Sequence, residues 1–319
     1  VADAPAAGFA PRKCPCCGGA EARALFAVAA RRFCGVNDTY REDFGAILGV
    51  APDAEFPVVA CARCGFAYAG LLPPAAFLER LYEEVIDPAR ALAASQAPAW
   101  VAHQLDLGSR LLGQLGRVFG GEGRLRVLDF GCGYGALVRA LNGSRVACVG
   151  FETSRSRLEH LRRSGLPAVA DVDEARRRGP YHAVVLGDVL EHVPAPREVL
   201  ALCRGLLVPG GLLLACVPDF GGARLAAARA AAAAGAPCER EVNPWEHLGY
   251  FSPRTLRDLL AREGFSVVDE GRPVDVGLRP GLRGVRRWGN GAKSALRLLR
   301  HLAGRAPGST CVFARVAGP

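Results

Sequence analysis

The 319-residue chain has no uninterrupted apolar run long enough to cross a bilayer. The longest, residues 206–217, is broken by Pro209-Gly210-Gly211, whereas a spanning helix needs about 20 apolar residues. The sequence does not open with a basic segment followed by an apolar one, so no secretory leader is expected. It also lacks an internal repeat, which sets aside solenoids and propellers. Half of the residues are apolar and 22% are charged. That balance argues against intrinsic disorder and suits about two globular domains with a sizeable core.

Charge is present but unevenly placed. Of the formal net charge of +9, residues 271–309 account for nearly all, with nine Lys or Arg against Asp275 alone. Leu296, Leu298, Leu299 and Leu302 interleave with Arg297, Arg300 and Arg305, a pattern that predicts an amphipathic helix. Three readings follow: a solvated arm, a surface for an anionic substrate or lipid head group, or a nucleic-acid contact.

The twelve cysteines fall into two groups. Cys14-Pro15-Cys16-Cys17-Gly18 and Cys61-Ala62-Arg63-Cys64-Gly65 are two C-x-x-C-G knuckles. In each, a tight turn sets two thiolates on one side, and together they predict a closed tetrahedral zinc site of Cys14, Cys17, Cys61 and Cys64. Cys16 and Cys34 are alternative ligands, because the 43 residues between the knuckles form an excursion longer than usual. Cys132, Cys148, Cys203 and Cys216 read as small buried hydrophobes.

Between Val127 and Gly135 an apolar strand runs into Asp129 and then Gly131, Gly133 and Gly135. Glycines there permit positive φ and a close approach of backbone N–H groups to a ligand at the following helix. The same residues, with Ala136, also satisfy the looser dinucleotide-binding pattern. A carboxylate two residues before the first glycine would attract an ammonium group and repel a pyrophosphate, which favours a zwitterionic ligand. Strands alternating with helices over residues 126–218 predict a doubly wound, parallel α/β sheet with its ligand at the carboxyl ends of the strands.

These motifs resemble those of class I S-adenosylmethionine-dependent methyltransferases. After the glycine loop comes an apolar strand, residues 145–151, ending at Glu152. Then follow residues 181–194, similar to the family's fourth strand and the loop after it, and residues 207–214, similar to the turn into its fifth. The resemblance implies a Rossmann-like sheet with S-adenosylmethionine as cofactor, held by Asp129, Gly131, Gly133, Gly135, Glu152, Asp171, Asp188 and Val189. Glu152 would accept both ribose hydroxyls. It also implies that residues 265–269 and 310–316 form a closing antiparallel hairpin, and it points to a reducing cytoplasm. A zinc module before such a domain resembles bacterial deoxysugar C-methyltransferases and related polysaccharide and natural-product enzymes. Those carry a further carboxy-terminal domain, which is not expected from this sequence, so the acceptor atom is left open.

The expected organisation is a zinc-binding module (1–72), a helical linker or cap (73–120) and a methyltransferase domain (121–319). The last carries an Ala-rich lid insertion (221–240) and the basic insertion (271–309). For a hydroxyl acceptor a general base helps remove the proton. Two carboxylate–histidine pairs are candidates, Glu191-His192 and Glu246-His247, with His247 preferred. Trp245, Tyr250 and Phe251 either wall an acceptor pocket or pack against the sheet. The expected partner is a small-molecule acceptor, a nucleotide- or lipid-linked sugar or a natural product, with peripheral membrane contact allowed. The alternatives are an RNA methyltransferase that grips its substrate with the zinc module and basic arm, and a non-catalytic protein that keeps the fold as a scaffold.

Overall fold

The computed structural model describes residues 8–34, 37–120, 123–269 and 309–317. The basic insertion therefore lies outside the described residues, apart from Ser309. From the amino end come strands β1 (Ala10–Pro11) and β2 (Ala22–Ala29), helices α1 (Ala30–Cys34) and α2 (Phe44–Leu48), then β3 (Glu55–Cys61), β4 (Ala67–Ala69) and β5 (Leu71–Leu72). Strands β2, β3 and β4 form an antiparallel sheet, while β1 pairs with β5. The core beneath it is aromatic. Trp245 is fully buried edge-on to Phe33, Phe77 and Phe56 at ring-centroid distances of 4.9, 5.3 and 5.5 Å. Tyr250 likewise packs on Phe220 and Phe251 on Phe66, so all three aromatics near His247 serve packing.

A helical stretch leads to the main sheet. Helix α3 (Ala75–Arg80) runs into a π-helical turn over Leu81–Val85, followed by α4 (Pro88–Ser95) and α5 (Pro98–Phe119). Asp87 starts α4 by accepting the N–H groups of Ala89 and Arg90, with Pro88 at the first position. Helix α5 buries Leu107, Leu111 and Leu115 and leaves Leu105 and Leu112 exposed. The buried three recur every four residues and so share one face of the helix.

The alternation then proceeds through β6 (Leu125–Phe130), α6 (Ala136–Leu141), β7 (Val146–Phe151), α7 (Arg155–Arg163), β8 (Ala168–Val169), α8 (Val172–Arg178), β9 (Tyr181–Gly187), α9 (Pro196–Leu206) and β10 (Leu207–Pro218). Helix α10 (Gly222–Ala233), strand β11 (Gly249–Tyr250), helix α11 (Pro253–Arg262) and strands β12 (Phe265–Asp269) and β13 (Ser309–Val316) follow. A seven-stranded sheet has the order β12-β13-β10-β9-β6-β7-β8. Its first five strands in sequence are parallel, and β13 runs antiparallel to both neighbours, as the expected hairpin requires. Successive connections leave β6 in opposite directions, toward β7 and toward β9, so a crevice opens at the carboxyl ends of those strands. The fold is thus the Rossmann-like α/β sheet expected from the alternation.

Two features were not foreseen. Cys216, expected as a small buried hydrophobe, is buried but joined in a disulfide to Cys311. The two face each other directly across β10 and β13, a register that spacing along the chain does not reveal. The second concerns β11, which pairs antiparallel with β4 and completes the amino-terminal sheet in the order β11-β4-β3-β2. Helix α10 also meets this region, where Arg32 Nη1 donates to the Ala232 carbonyl at 3.2 Å.

Candidate functional site

The glycine loop after β6 takes the form its composition requires. Gly131, Gly133 and Gly135 have φ of 77°, 56° and 76°, and a Cβ on Gly131 would stand 2.7 Å from Cγ2 of Val189. Any side chain there would be strained and would collide. Glu152, at the end of β7, faces the loop. Its Oε2 accepts the Gly133 N–H at 3.0 Å, and Oε1 accepts those of Thr153 and Ser154 at 2.8 and 2.9 Å. Arg157 stands 3.6 Å away. Three N–H donors occupy most of the roughly four lone-pair sites of a carboxylate and fix its orientation. Asp129 is also buried, and burial, followed by the charge of Glu152, raises its carboxyl to about 7. A ligand ammonium beside Asp129 would relieve that cost. Asp171 is exposed beyond β8, where Oδ1 caps α8 by accepting the Glu174 N–H at 2.7 Å.

Next in the sheet, the loop after β9 carries a second group. Asp188 has φ 54° and its N–H is held by the Cys216 carbonyl at 3.0 Å. Burial and then Glu241 raise its carboxyl to about 6. Glu191 and His192 follow, and the structure brings His247 to them from 55 residues away in sequence. The two imidazoles meet edge to face with centroids 4.6 Å apart. The two histidines, expected as rival candidates, thus form one cluster with Glu191.

Hydrogen bonds orient both rings. His247 Nδ1 donates to the Glu241 carbonyl at 2.8 Å, because a carbonyl can only accept, and Nε2 therefore keeps its lone pair. His192 Nδ1 lies 3.2 Å from the Tyr82 hydroxyl. Burial lowers His247 to about 4, and burial, followed by the neighbouring His247, drives His192 well below its usual range. Both rings are neutral at physiological pH, so neither titrates near neutrality as a general base was expected to. Burial and then Asp188 push the Glu191 carboxyl well up. Glu246 is not the partner of His247. It accepts from Asn37 Nδ2 at 3.5 Å and bonds the Tyr40 hydroxyl.

The cysteine knuckles fold as twin turns. Gly18 and Gly65 have φ of 72° and 73°, and their N–H groups bond the Cys14 and Cys61 carbonyls at 2.8 and 2.9 Å. Sγ atoms of Cys14 and Cys64 lie 3.6 Å apart, and those of Cys17 and Cys61 3.5 Å. Four thiolates about 2.3 Å from a tetrahedral zinc stand about 3.8 Å from one another, so the set is compatible with zinc. Arg63 Nε donates to the Cys17 sulfur at 3.3 Å. Cys16 and Cys34 are buried outside this foursome, Cys34 in the aromatic core.

Three site residues escaped the sequence. Tyr82 lies in the π-helical turn, which delivers it to His192, and such turns often mark functional positions. Arg157 and Glu241 reach the site only through tertiary folding. Their local sequence carries no signal.

Residues 78–270 match the methyltransferase-domain family. Among curated proteins the chain is similar to the ubiquinone biosynthesis O-methyltransferase of Caulobacter sp. (strain K31), with 33% identity over 164 residues, 48% of this chain and 60% of the relative. It is also similar to the same-named enzyme of Burkholderia cenocepacia, with 36% identity over 95 residues, 27% of this chain and 41% of the relative. The chain thus spans 60% or less of the length of these relatives. Among solved structures, the plantazolicin methyltransferase BamL in complex with a triazolic desmethylPZN analog and SAH covers 71% of this chain and 89% of its own length. Its TM-score is 0.50 at 12% identity, a likeness of fold. With the family match covering more than half of its residues, the chain belongs to the methyltransferase-domain family.

Proposed function

We propose that the protein transfers the methyl group of S-adenosylmethionine to a hydroxyl of a small-molecule acceptor, with zinc held by Cys14, Cys17, Cys61 and Cys64 in a structural role. The observation that carries this reading is the order of charged groups along the crevice. Asp129 and Glu152, at the ends of adjacent parallel strands, flank the glycine loop, and the Glu191–His192–His247 cluster lies at the end of the next strand, β9. Asp129 would meet the ammonium and Glu152 the ribose hydroxyls, with Gly131, Gly133 and Gly135 admitting the ligand and Asp188 and Val189 bordering it. The cofactor supplies an electrophilic methyl on a sulfonium. The chain's own residues align the acceptor, exclude water and stabilise charge on its oxygen as the proton leaves. The curated relatives' names, O-methyltransferases, support oxygen as the acceptor atom. Sugar hydroxyls and phenols both fall in that class.

The test is incubation of the protein and S-adenosylmethionine with a size-fractionated cell extract, followed by unbiased mass spectrometry. A small molecule that gains one methyl group is expected, together with S-adenosylhomocysteine. Cofactor binding without any acceptor, in extract or among added hydroxyl compounds, would instead leave the scaffold reading. A methylated RNA fraction would replace the small-molecule acceptor.

A further inference from the structure

Glu191 is an unusual carboxylate. Its side chain is 2% exposed, and neither oxygen has a hydrogen-bond partner. A buried carboxyl group is ordinarily paired, bound to metal or left uncharged. His192 Nε2 stands 4.0 Å from Glu191 Oε1, and one donor atom each from Glu191, His192 and His247 lie within 4.8 Å of one another. Around a tetrahedral zinc bound at about 2.1 Å, donors stand about 3.4 Å apart, so the group closes with side-chain shifts of the order of 1 Å. The Nδ1 atom of each ring already has a partner, the Glu241 carbonyl for His247 and the Tyr82 hydroxyl for His192. Metal-ligating histidines are oriented by such outer hydrogen bonds. Asp188 adds negative charge beside Glu191, against Arg157, Arg240 and Arg224 near the imidazoles, of which Arg224 is paired with Glu241 at 3.0 Å.

We propose that Glu191, His192 and His247 bind one divalent transition-metal cation, whose open positions receive an oxygen of the acceptor. The claim of a cation site stands on the geometry alone; the acceptor's part in it rests on the transferase reading above. One carboxylate and two imidazoles suit zinc, iron(II), cobalt(II) or manganese(II), whereas four thiolates form a closed, soft site. Three protein ligands leave room for a substrate oxygen, which the cysteine site does not.

Zinc is the probe, because it binds such donors more tightly than most first-row divalent ions. The full chain is dialysed against micromolar free zinc, its bound metal is counted, and its affinity for S-adenosylmethionine is measured by calorimetry. About two equivalents are expected for the wild type. Glu191→Gln and His247→Gln should each hold about one, with unchanged cofactor affinity as the sign of an intact fold, and Cys61→Ser with Cys64→Ser should lose the other. A wild type that holds only the cysteine-bound zinc, or folded Glu191→Gln and His247→Gln variants that still hold two, would overturn the cation site. Loss of cofactor binding with both zinc equivalents retained would overturn the transferase reading and leave the cation site standing.

Discussion

Among the described residues, the two clusters whose side chains could hold a metal ion, four cysteines and the Glu191–His192–His247 group, are built on opposite plans. The cysteine site comes from two local turns, each closed by a glycine N–H and legible in five consecutive residues. The histidine group comes from two loops 55 residues apart, and its orienting partners, Tyr82 and Glu241, belong to other segments. The first has four soft donors and no open side. The second has three mixed donors and an unsatisfied carboxylate. A closed cluster suits holding a fold together, and an open one suits meeting a ligand.

The comparison breaks most readily at the cysteines. A structural zinc contributes on the order of 10 kcal/mol to folding, so Cys61→Ser with Cys64→Ser should cost most of the bound metal and most of the stability of the amino-terminal sheet. Elemental analysis and thermal melting measure this, and zinc retained in full would refute the site. A smaller but sharper effect is expected at His247. Its replacement by alanine should lower kcat about 10²-fold or more while leaving cofactor affinity nearly intact; single-turnover kinetics and calorimetry separate the two. A stable variant with wild-type turnover would reduce the histidine to a structural role.

The cofactor side of the crevice offers two weaker probes. Glu152→Ala should cost about 2 kcal/mol in S-adenosylmethionine affinity, the scale of a buried hydrogen bond to a charged group, and calorimetry on the folded variant decides it. Smaller still is the expected effect of pH. Asp129 must be ionised to meet an ammonium, yet in the free protein it titrates at about 7. Affinity should therefore fall by up to about tenfold per unit as pH drops below 7, with proton release on binding that Asp129→Asn abolishes. The raised pKa has the opposite consequence for the free fold. The native state holds a proton that the unfolded chain has already released, so stability falls as pH rises from the ordinary carboxylate range toward 7.

Particular residues show why some of this could be read from the chain. Gly131, Gly133 and Gly135 announce their turn because positive φ is a local demand, and the parallel sheet shows in strand–helix alternation. The C-x-x-C-G spacing works the same way. His192 and His247 were visible as residues but not as neighbours, since their contact depends on where the loop after Val242 is anchored. The pairing of Cys216 with Cys311 depends on strand register between β10 and β13, and Tyr82 depends on one wide helical turn. None of these leaves a mark in local composition.

Strand β11 begins two residues after His247 and lies along β4, which itself follows the second cysteine knuckle. The halves are therefore poor candidates for separation. A fragment starting near residue 73 would leave β11 without its neighbour, while a fragment ending there would bare the edge of β4. Unpaired edges of this kind invite strand-to-strand association between molecules. Truncation at that point should yield aggregates rather than a small independent enzyme, and an amino-terminal lesion far from the crevice along the chain would be felt first as a misplaced histidine.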